Sequence, residues 1–289
     1  MPCDVYILGS GAMGCLWARY LFPTNNVTFI QKQTQTNRFQ FQYLPDDISV
    51  NVKCTNIKDI NAPIEHLILA TKAYDAFNAM EQVSPYLAAQ AQVVLLQNGL
   101  GSQQAIAKAW PNLSVFACSS TEGAYKPDLN TLIHAGKGVN KIGPLTHHAQ
   151  LKQLSKWIPD DCYQWDTGIE AVLWKKFMVN CAINPLTQLY DCANGTLLDN
   201  PDFFSHMKRI CQEIDQITQA KGFQLPSAFQ LAQQVCQVTA NNFSSMLQDA
   251  RNHRMTEIEF MTGYLLRQGM ELNIDCPHNL ALYDSITGG

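Results

Sequence analysis

The chain has 289 residues, enough for one large domain or two of ordinary size, and 46% hydrophobic against 15% charged residues leaves ample material for a core. A net charge of −4 with no long basic run argues against a nucleic-acid or anionic-membrane partner. No basic stretch precedes the first apolar run, and the longest apolar runs, HLILA and VVLL, are far too short to span a bilayer; the expectation is a soluble, cytoplasmic protein without a membrane partner.

Taken in chain order, a short apolar run at 5–8 leads into Gly9-Ser10-Gly11-Ala12-Met13-Gly14, then a helical pattern through Leu21. A second run at 26–30 follows within the length of one βαβ unit. FQFQYLPDDISVNVKC alternates apolar and polar residues on both sides of Pro45-Asp46-Asp47, which predicts an inserted hairpin with one wet face. Buried strands are expected at 66–70, 93–96 and 115–118, with helices around 74–89 and 102–108 between them. That alternation predicts a mostly parallel sheet covered on both faces. NTLIHAGKGVNKIGP reads as a second extended, glycine-turned segment, and a helix near 149–157 and a strand near 162–165 finish a first domain of residues 1–167. From about 169 the pattern changes. Residues 170–189, 201–220, 227–238 and 255–272 show helical periodicity with no strand between them, so 168–289 reads as an all-helical second domain. The expected fold class is α/β: an N-terminal Rossmann-type dinucleotide-binding domain followed by a helical C-terminal domain.

The ten cysteines are scattered singly without a C-x-x-C pair, and the seven histidines show no metal spacing, so free thiols and no metal are expected. The glycine turn carries more information, because it follows a strand and opens a helix. Gly9 permits the tight turn, Gly11 lets the backbone approach a pyrophosphate, and Gly14 lets helix and strand pack closely. Ser10, Ala12 and Met13 belong to the same cradle, with the anion at the helix N-terminus. No acid occurs between Gly14 and Asp46 to take a ribose 2′-hydroxyl, whereas Lys32, with Arg38 in reserve, can meet a 2′-phosphate; NADP(H) is the expected cofactor.

WKKFMVNCAINPL, residues 174–186, poses a different question. At about 3.6 residues per turn, Lys176, Asn180 and Asn184 share one face of an otherwise apolar helix, and Lys175 is rotated roughly 100° away. A lysine on such a face can stabilise and protonate an oxygen that gains charge as hydride adds to a carbonyl. It can equally snorkel to the surface, leaving both amides as ordinary helix polars. Spacing alone leaves those two accounts level. Pro185 adds a freed carbonyl in the preceding turn. Asn98, in QNGLG, follows a strand, and Lys72 holds the same place after the 66–70 strand. NFSSMLQD, 242–249, precedes RMTEIE, which can also be a capped helix start with an acidic first turn.

Together, GSGAMG, ATKAYDA, LLQNGLGS, HAGKG, WKKFMVNCAINPLTQLYDCANG and NFSSMLQDARNHRMTEIE resemble the ketopantoate reductase (2-dehydropantoate 2-reductase) family, in order from Gly9 to about Leu282. The resemblance implies NADPH-dependent reduction of 2-dehydropantoate to (R)-pantoate on the way to pantothenate and coenzyme A, at an active site between a Rossmann domain and a helical domain. It makes Lys176 the proton donor. Asn180, Asn184, Asn194, Asn242, Ser244 and Ser245 become substrate contacts, and Asn98 touches both substrate and cofactor. Lys72, Ala124 and Glu257 fall at cofactor-side positions, with Glu257 rather than Glu259 the acid of T-E-I-E. Two features depart from the pattern. Gln31 stands where relatives often have arginine, which leaves the 2′-phosphate to Lys32, and Glu122 puts a carboxylate where relatives are commonly neutral or have histidine. The expected partner is a small 2-oxo acid, with the protein a monomer or homodimer. Two other readings remain beside this one: a reductase of another branched 2-oxo acid on the same fold, and a non-catalytic NADPH-binding sensor, which would not need Lys176 and the amides together.

Overall fold

The computed structural model describes residues 1–31 and 37–288. They form two compact units, one of Met1–Gln97 with Ser102–Ile169, the other of Asn98–Gly101 with the chain from Glu170 onward.

The first unit is built on one sheet. Its strands are β1 (Asp4–Leu8), β2 (Asn26–Gln31), β3 (Arg38–Leu44), β4 (Ile48–Asn56), β5 (Ile64–Leu69), β6 (Leu87–Leu95), β7 (Ser114–Ser120), β8 (Gly123–Asp128), β9 (Thr131–Gly136), β10 (Asn140–Pro144) and β11 (Gln164–Trp165). Their spatial order is β11-β10-β7-β6-β5-β1-β2-β4-β3-β9-β8, and the run from β7 to β4 is parallel throughout. The chain leaves β1 for β2 on one side and reaches β5 on the other, the arrangement that opens a binding crevice at the carboxyl ends of central strands.

The central strands are apolar on both faces because both faces are covered. Val5 and Ile7 enter a core with Cys15, Leu16, Trp17 and Leu21 of α1 (Ala12–Leu21). Tyr6 and Leu8 face a second core that includes Ala76, Met80 and Val83 of α2 (Ala73–Val83) and Ile106 of α3 (Ser102–Ala109). Burying each such side chain is worth about 1.5–3 kcal/mol, which holds the helices to the sheet. The expected hairpin is present: β3 and β4 pair antiparallel, with Phe41, Tyr43, Val50 and Val52 buried. Its other face is wet, where Gln40 Nε2 donates to Ser49 Oγ (2.9 Å) and Gln42 Nε2 to Asp47 Oδ1 (2.7 Å).

Two expected helices are shorter than their patterns. The one at 74–89 ends at Val83, because Pro85 has no N–H to continue the ladder, and β6 starts at Leu87. The one at 149–157 is a single turn, α4 (Leu151–Leu154), closed by a Gln150–Gln153 capping box. The extended segment at 130–144 is two strands, β9 and β10, and β9 forms a hairpin with β8.

The second unit is helical: α5 (Ile169–Leu189, whose first residue lies in the other unit), α6 (Thr196–Asp199), α7 (Pro201–Ala220), α8 (Ala228–Val238), α9 (Ser245–Arg251), α10 (Thr262–Leu272) and α11 (Pro277–Thr287). The pattern at 255–272 predicts one helix, but α10 begins only at Thr262, after a 3₁₀ turn over Ile258–Phe260. The Phe260 carbonyl accepts from Leu100 N (3.0 Å) instead of from the next helical turn. The last helix has no strong pattern of its own. Buried Glu213 of α7 caps it from a distance, accepting from His278 N (2.8 Å) and Asn279 N (2.9 Å). Among the described residues no helix is long and apolar enough to cross a membrane, and no group of three or more His, Cys, Asp or Glu is placed to hold a metal.

Candidate active site

In the first unit the glycine turn joins β1 to α1. Gly9 has φ +114°, and a Cβ there would lie 2.8 Å from the Ala70 carbonyl carbon, so only glycine allows the turn to pass the end of β5. A Cβ on Gly14 would overlap the Gly9 carbonyl oxygen, which seats α1 against the strand end. Gly11 differs: it is the N-cap of α1, and a Cβ would meet nothing within 4 Å. The first turn of α1 has no side-chain cap and no acid. An uncapped helix start with open space beside Gly11 is an arrangement that fits a dinucleotide's diphosphate. Ser10, Ala12 and Met13 complete this turn, and Lys72 stands beside it as the N-cap of α2, after the Ala70 that Gly9 abuts. Lys32 lies outside the described residues. Arg38, at the start of β3, lines an open groove of ≈ 460 Å³ with Thr28, Lys53, Thr55 and Asp59.

Ala124 lies on β8, in a hairpin anchored by a buried acid. Glu122 Oε2 accepts from His134 Nε2 (2.7 Å) and Gly138 N (2.7 Å), and Oε1 accepts from Tyr20 OH of α1 (3.0 Å). Tyr43 OH meets His134 Nδ1 at 2.7 Å, so the imidazole with its hydrogen on Nε2 satisfies the whole set. Side-chain exposures of 3% for His134 and 7% for Glu122 make this a buried pair. Burial pushes the Glu122 carboxyl up, but the hydrogen bonds from His134, Gly138 and Tyr20 outweigh it and hold the group below its ordinary value. Glu122 is thus bonded within the hairpin and to α1.

In the second unit, α5 brings the polar face together. Lys175 is exposed, while Lys176 is half-buried and its Nζ donates to Asn98 Oδ1 (2.8 Å). Asn98 reaches that position because Gly99 and Gly101 dock on the start of α10. Gly99 has φ +79° and would overlap the Phe260 carbonyl if it carried a Cβ; Gly101, at φ +102°, would bring a Cβ to 2.9 Å from the Tyr264 ring. Asn180 is half-buried, and Asn184, 8% exposed, turns its Nδ2 to Met261 Sδ (3.7 Å). Thr187, fully buried one turn on, donates to the Asn184 carbonyl (2.9 Å), and its Oγ1 lies within hydrogen-bonding distance of Ser244 Oγ (2.7 Å). Ser244 caps α9 by accepting from Leu247 N (3.1 Å); Ser245 is the exposed first residue of that helix.

Asn194 N donates to the Asn242 carbonyl (2.9 Å), and its Nδ2 to Thr239 Oγ1 (2.8 Å), while its buried Oδ1 has no partner among the described residues. Such an acceptor is one a ligand hydroxyl can satisfy. Glu257 is 4% exposed, whereas Glu259 pairs with Arg267 and accepts from Tyr283 OH (2.6 Å). The second unit thus sets Lys176, Asn180 and Asn184 on one helix face, bonds Asn98 to Lys176, and joins Asn194 to Asn242. Thr187 was visible in the sequence only as an i+3 neighbour of Asn184, and Phe260 and Tyr264 gave no signal, because their part is a long-range contact.

Family models agree with this architecture. "Ketopantoate reductase PanE/ApbA" matches residues 5–147, and "Ketopantoate reductase PanE/ApbA C terminal" matches 168–288. A 2-dehydropantoate 2-reductase of Vibrio cholerae serotype O1 is 32% identical over 98% of this chain and 96% of its own. The chain belongs to the ketopantoate reductase family. A solved structure described as probable 2-dehydropantoate 2-reductase panE from Bacillus subtilis superposes with a TM-score of 0.84 at 26% identity, covering 99% of both chains. A dimeric ketopantoate reductase from Staphylococcus aureus shares the fold at a TM-score of 0.81 and 19% identity, over 99% of this chain and 98% of that one. Membership makes this protein an oxidoreductase with a Rossmann-type first domain.

Proposed function

We propose that this family member catalyses the NADPH-dependent reduction of 2-dehydropantoate to (R)-pantoate, in the pathway to pantothenate and coenzyme A. The observation that carries the reading is the Lys176 Nζ–Asn98 Oδ1 hydrogen bond at 2.8 Å on a helix face shared with Asn180 and Asn184. An ammonium in that setting is oriented by Asn98 and half-desolvated, which suits it to stabilise an oxygen that gains charge.

When bound at the Gly9–Gly14 turn, a nicotinamide cofactor would supply hydride for C2 of the 2-oxo acid. Lys176 donates a proton to the C2 oxygen as that carbon–oxygen double bond becomes an alcohol. Asn98 holds the ammonium in place. Asn180, Asn184, Asn194, Asn242 and Ser245 bind the substrate's carboxylate and hydroxyl, with Ser244 fixing the start of α9 under them. Gly9–Gly14, with Ser10, Ala12 and Met13, take the cofactor's diphosphate, and Lys72, Ala124 and Glu257 complete its site. NADPH rather than NADH follows from the absence of an acid after β2, with Lys32 and Arg38 for the 2′-phosphate. Residues 1–167 then serve the cofactor and 168–289 the substrate, in a cytoplasmic monomer or homodimer.

The test is turnover of 2-dehydropantoate, followed by loss of reduced-nicotinamide absorbance, beside NADH and other branched 2-oxo acids. Lys176→Ala should lower kcat by about 10²–10⁴-fold with the melting temperature unchanged. A loss below about tenfold would sink the proton-donor role, and tight NADPH binding without turnover of any 2-oxo acid would favour a sensor.

A further inference from the structure

Lys126 carries a charge that the proposed reaction leaves unused, and its surroundings are unusual for a lysine. It lies on β8, half-buried, with Nζ 3.3 Å from the Ser10 carbonyl oxygen inside the glycine turn and 3.9 Å from Cys15 Sγ on the first turns of α1. The Phe39 ring flanks it, 4.7 Å from Nζ to the ring centre. Among the described residues no carboxylate comes within ion-pair distance of it. The acid on the same strand, Asp128, is exposed and turned into its own loop, where Oδ1 accepts from Asn130 N (2.8 Å).

An ammonium is thus held at the positive end of a helix dipole by two neutral acceptors and a ring. That pairing of like signs is unfavourable in isolation, because cations are stabilised at helix C-termini and anions at N-termini. It becomes favourable once an anion joins both. A carbonyl, a thiol and an aromatic face also restrict the lysine before any ligand arrives, which lowers the entropy lost on binding.

We propose that Lys126 is a diphosphate-binding residue for the dinucleotide held at the Gly9–Gly14 turn, adding a charge-assisted contact to the backbone N–H groups of α1. This rests on the reading of that turn as the dinucleotide site. Ser10 and Phe39 act as positioning residues that aim the ammonium.

Binding to the full-length protein, measured by titration calorimetry with NADPH and with 2′-AMP, tests the assignment without reference to turnover. NADPH has both the diphosphate and the 2′-phosphate; 2′-AMP has only the second. Lys126→Met keeps the aliphatic stem and should weaken NADPH by about 10–100-fold, the range of a lost hydrogen bond to a charged group, and leave 2′-AMP unchanged. Lys126→Arg should recover most of the NADPH affinity. Unchanged NADPH affinity in Lys126→Met, or an equal loss for both ligands, overturns the assignment. Should Lys126→Met fail to fold, Lys126→Gln carries the same comparison. Wild-type protein that binds no NADPH at all would instead overturn the dinucleotide reading on which the assignment rests.

Discussion

Two glycine-rich loops follow strands in this chain, GSGAMG after β1 and NGLG after β6, and they use glycine for opposite ends. In the first, Gly9 and Gly14 are filled by protein while Gly11 opens on empty space. In the second, Gly99 and Gly101 are both filled, by the Phe260 carbonyl and the Tyr264 ring. The first loop uses tight packing to present a bare backbone. The second uses it to carry one side chain, Asn98, to Lys176. The same residue type after the same kind of element therefore makes a backbone cradle in one place and a mount for a side chain in the other.

Substitutions at these glycines can break that contrast. The largest effect is expected from Gly99→Ala, which combines a left-handed φ with overlap on the Phe260 carbonyl. Strain and overpacking together should destabilise the protein by about 2–5 kcal/mol, and turnover should fall more than the melting temperature alone explains, because Asn98 loses its place. Calorimetric melting and steady-state kinetics on one preparation check both; unchanged kinetics would separate Asn98 from Lys176 in function.

A middle-sized effect is expected at the hairpin packed beside the first loop. Replacing Glu122 with Gln leaves the contacts to His134, Gly138 and Tyr20 weakened, for about 1–3 kcal/mol. The Glu122 carboxyl is held below its ordinary value of 4.5, so its contribution to stability is present above that pH and is lost as pH falls through the lower folded value. Wild-type stability should decline below about pH 4.5, and the variant's decline there should be shallower. Parallel acid limbs in urea melts across that range would show that the buried pair is not the source.

Gly11→Ala should have the smallest effect on stability. Gly11 has φ −69° and free space for a methyl, so the change should stay within about 1 kcal/mol and can be stabilising. Its effect should fall on NADPH affinity, a loss of about tenfold, because the methyl occupies the approach to the helix N-terminus. An affinity equal to wild type would mean that the open space at Gly11 is not where the diphosphate enters.

Much of the fold was legible in advance because it is written in local patterns. The continuous apolar run before Gly9 is a buried parallel strand, the alternation around Pro45 is a one-faced hairpin, and the spacing of Lys176, Asn180 and Asn184 is a single helix face. Length and punctuation were less legible. The helix expected at 255–272 begins only at Thr262, after a turn whose Phe260 carbonyl bonds Leu100, and α11 forms under a cap in which Glu213 of α7 accepts from its first N–H groups. Neither partner is near in sequence, so no window of residues could reveal it.

The same division runs through the candidate site. The sequence by itself determined which residue types line it and in what register, since glycine's freedom, helical period and the missing acid after β2 are properties of short segments. Only the tertiary structure decided their partners: that Asn98 belongs with Lys176, that Ser244 caps α9 while Ser245 stays exposed, that Glu122 is bonded to a buried histidine, and that Lys126 sits on the glycine turn. The Asn98–Lys176 and Ser10–Lys126 pairings join residues 78 and 116 positions apart. They depend on how the packed elements meet, which local pattern does not specify.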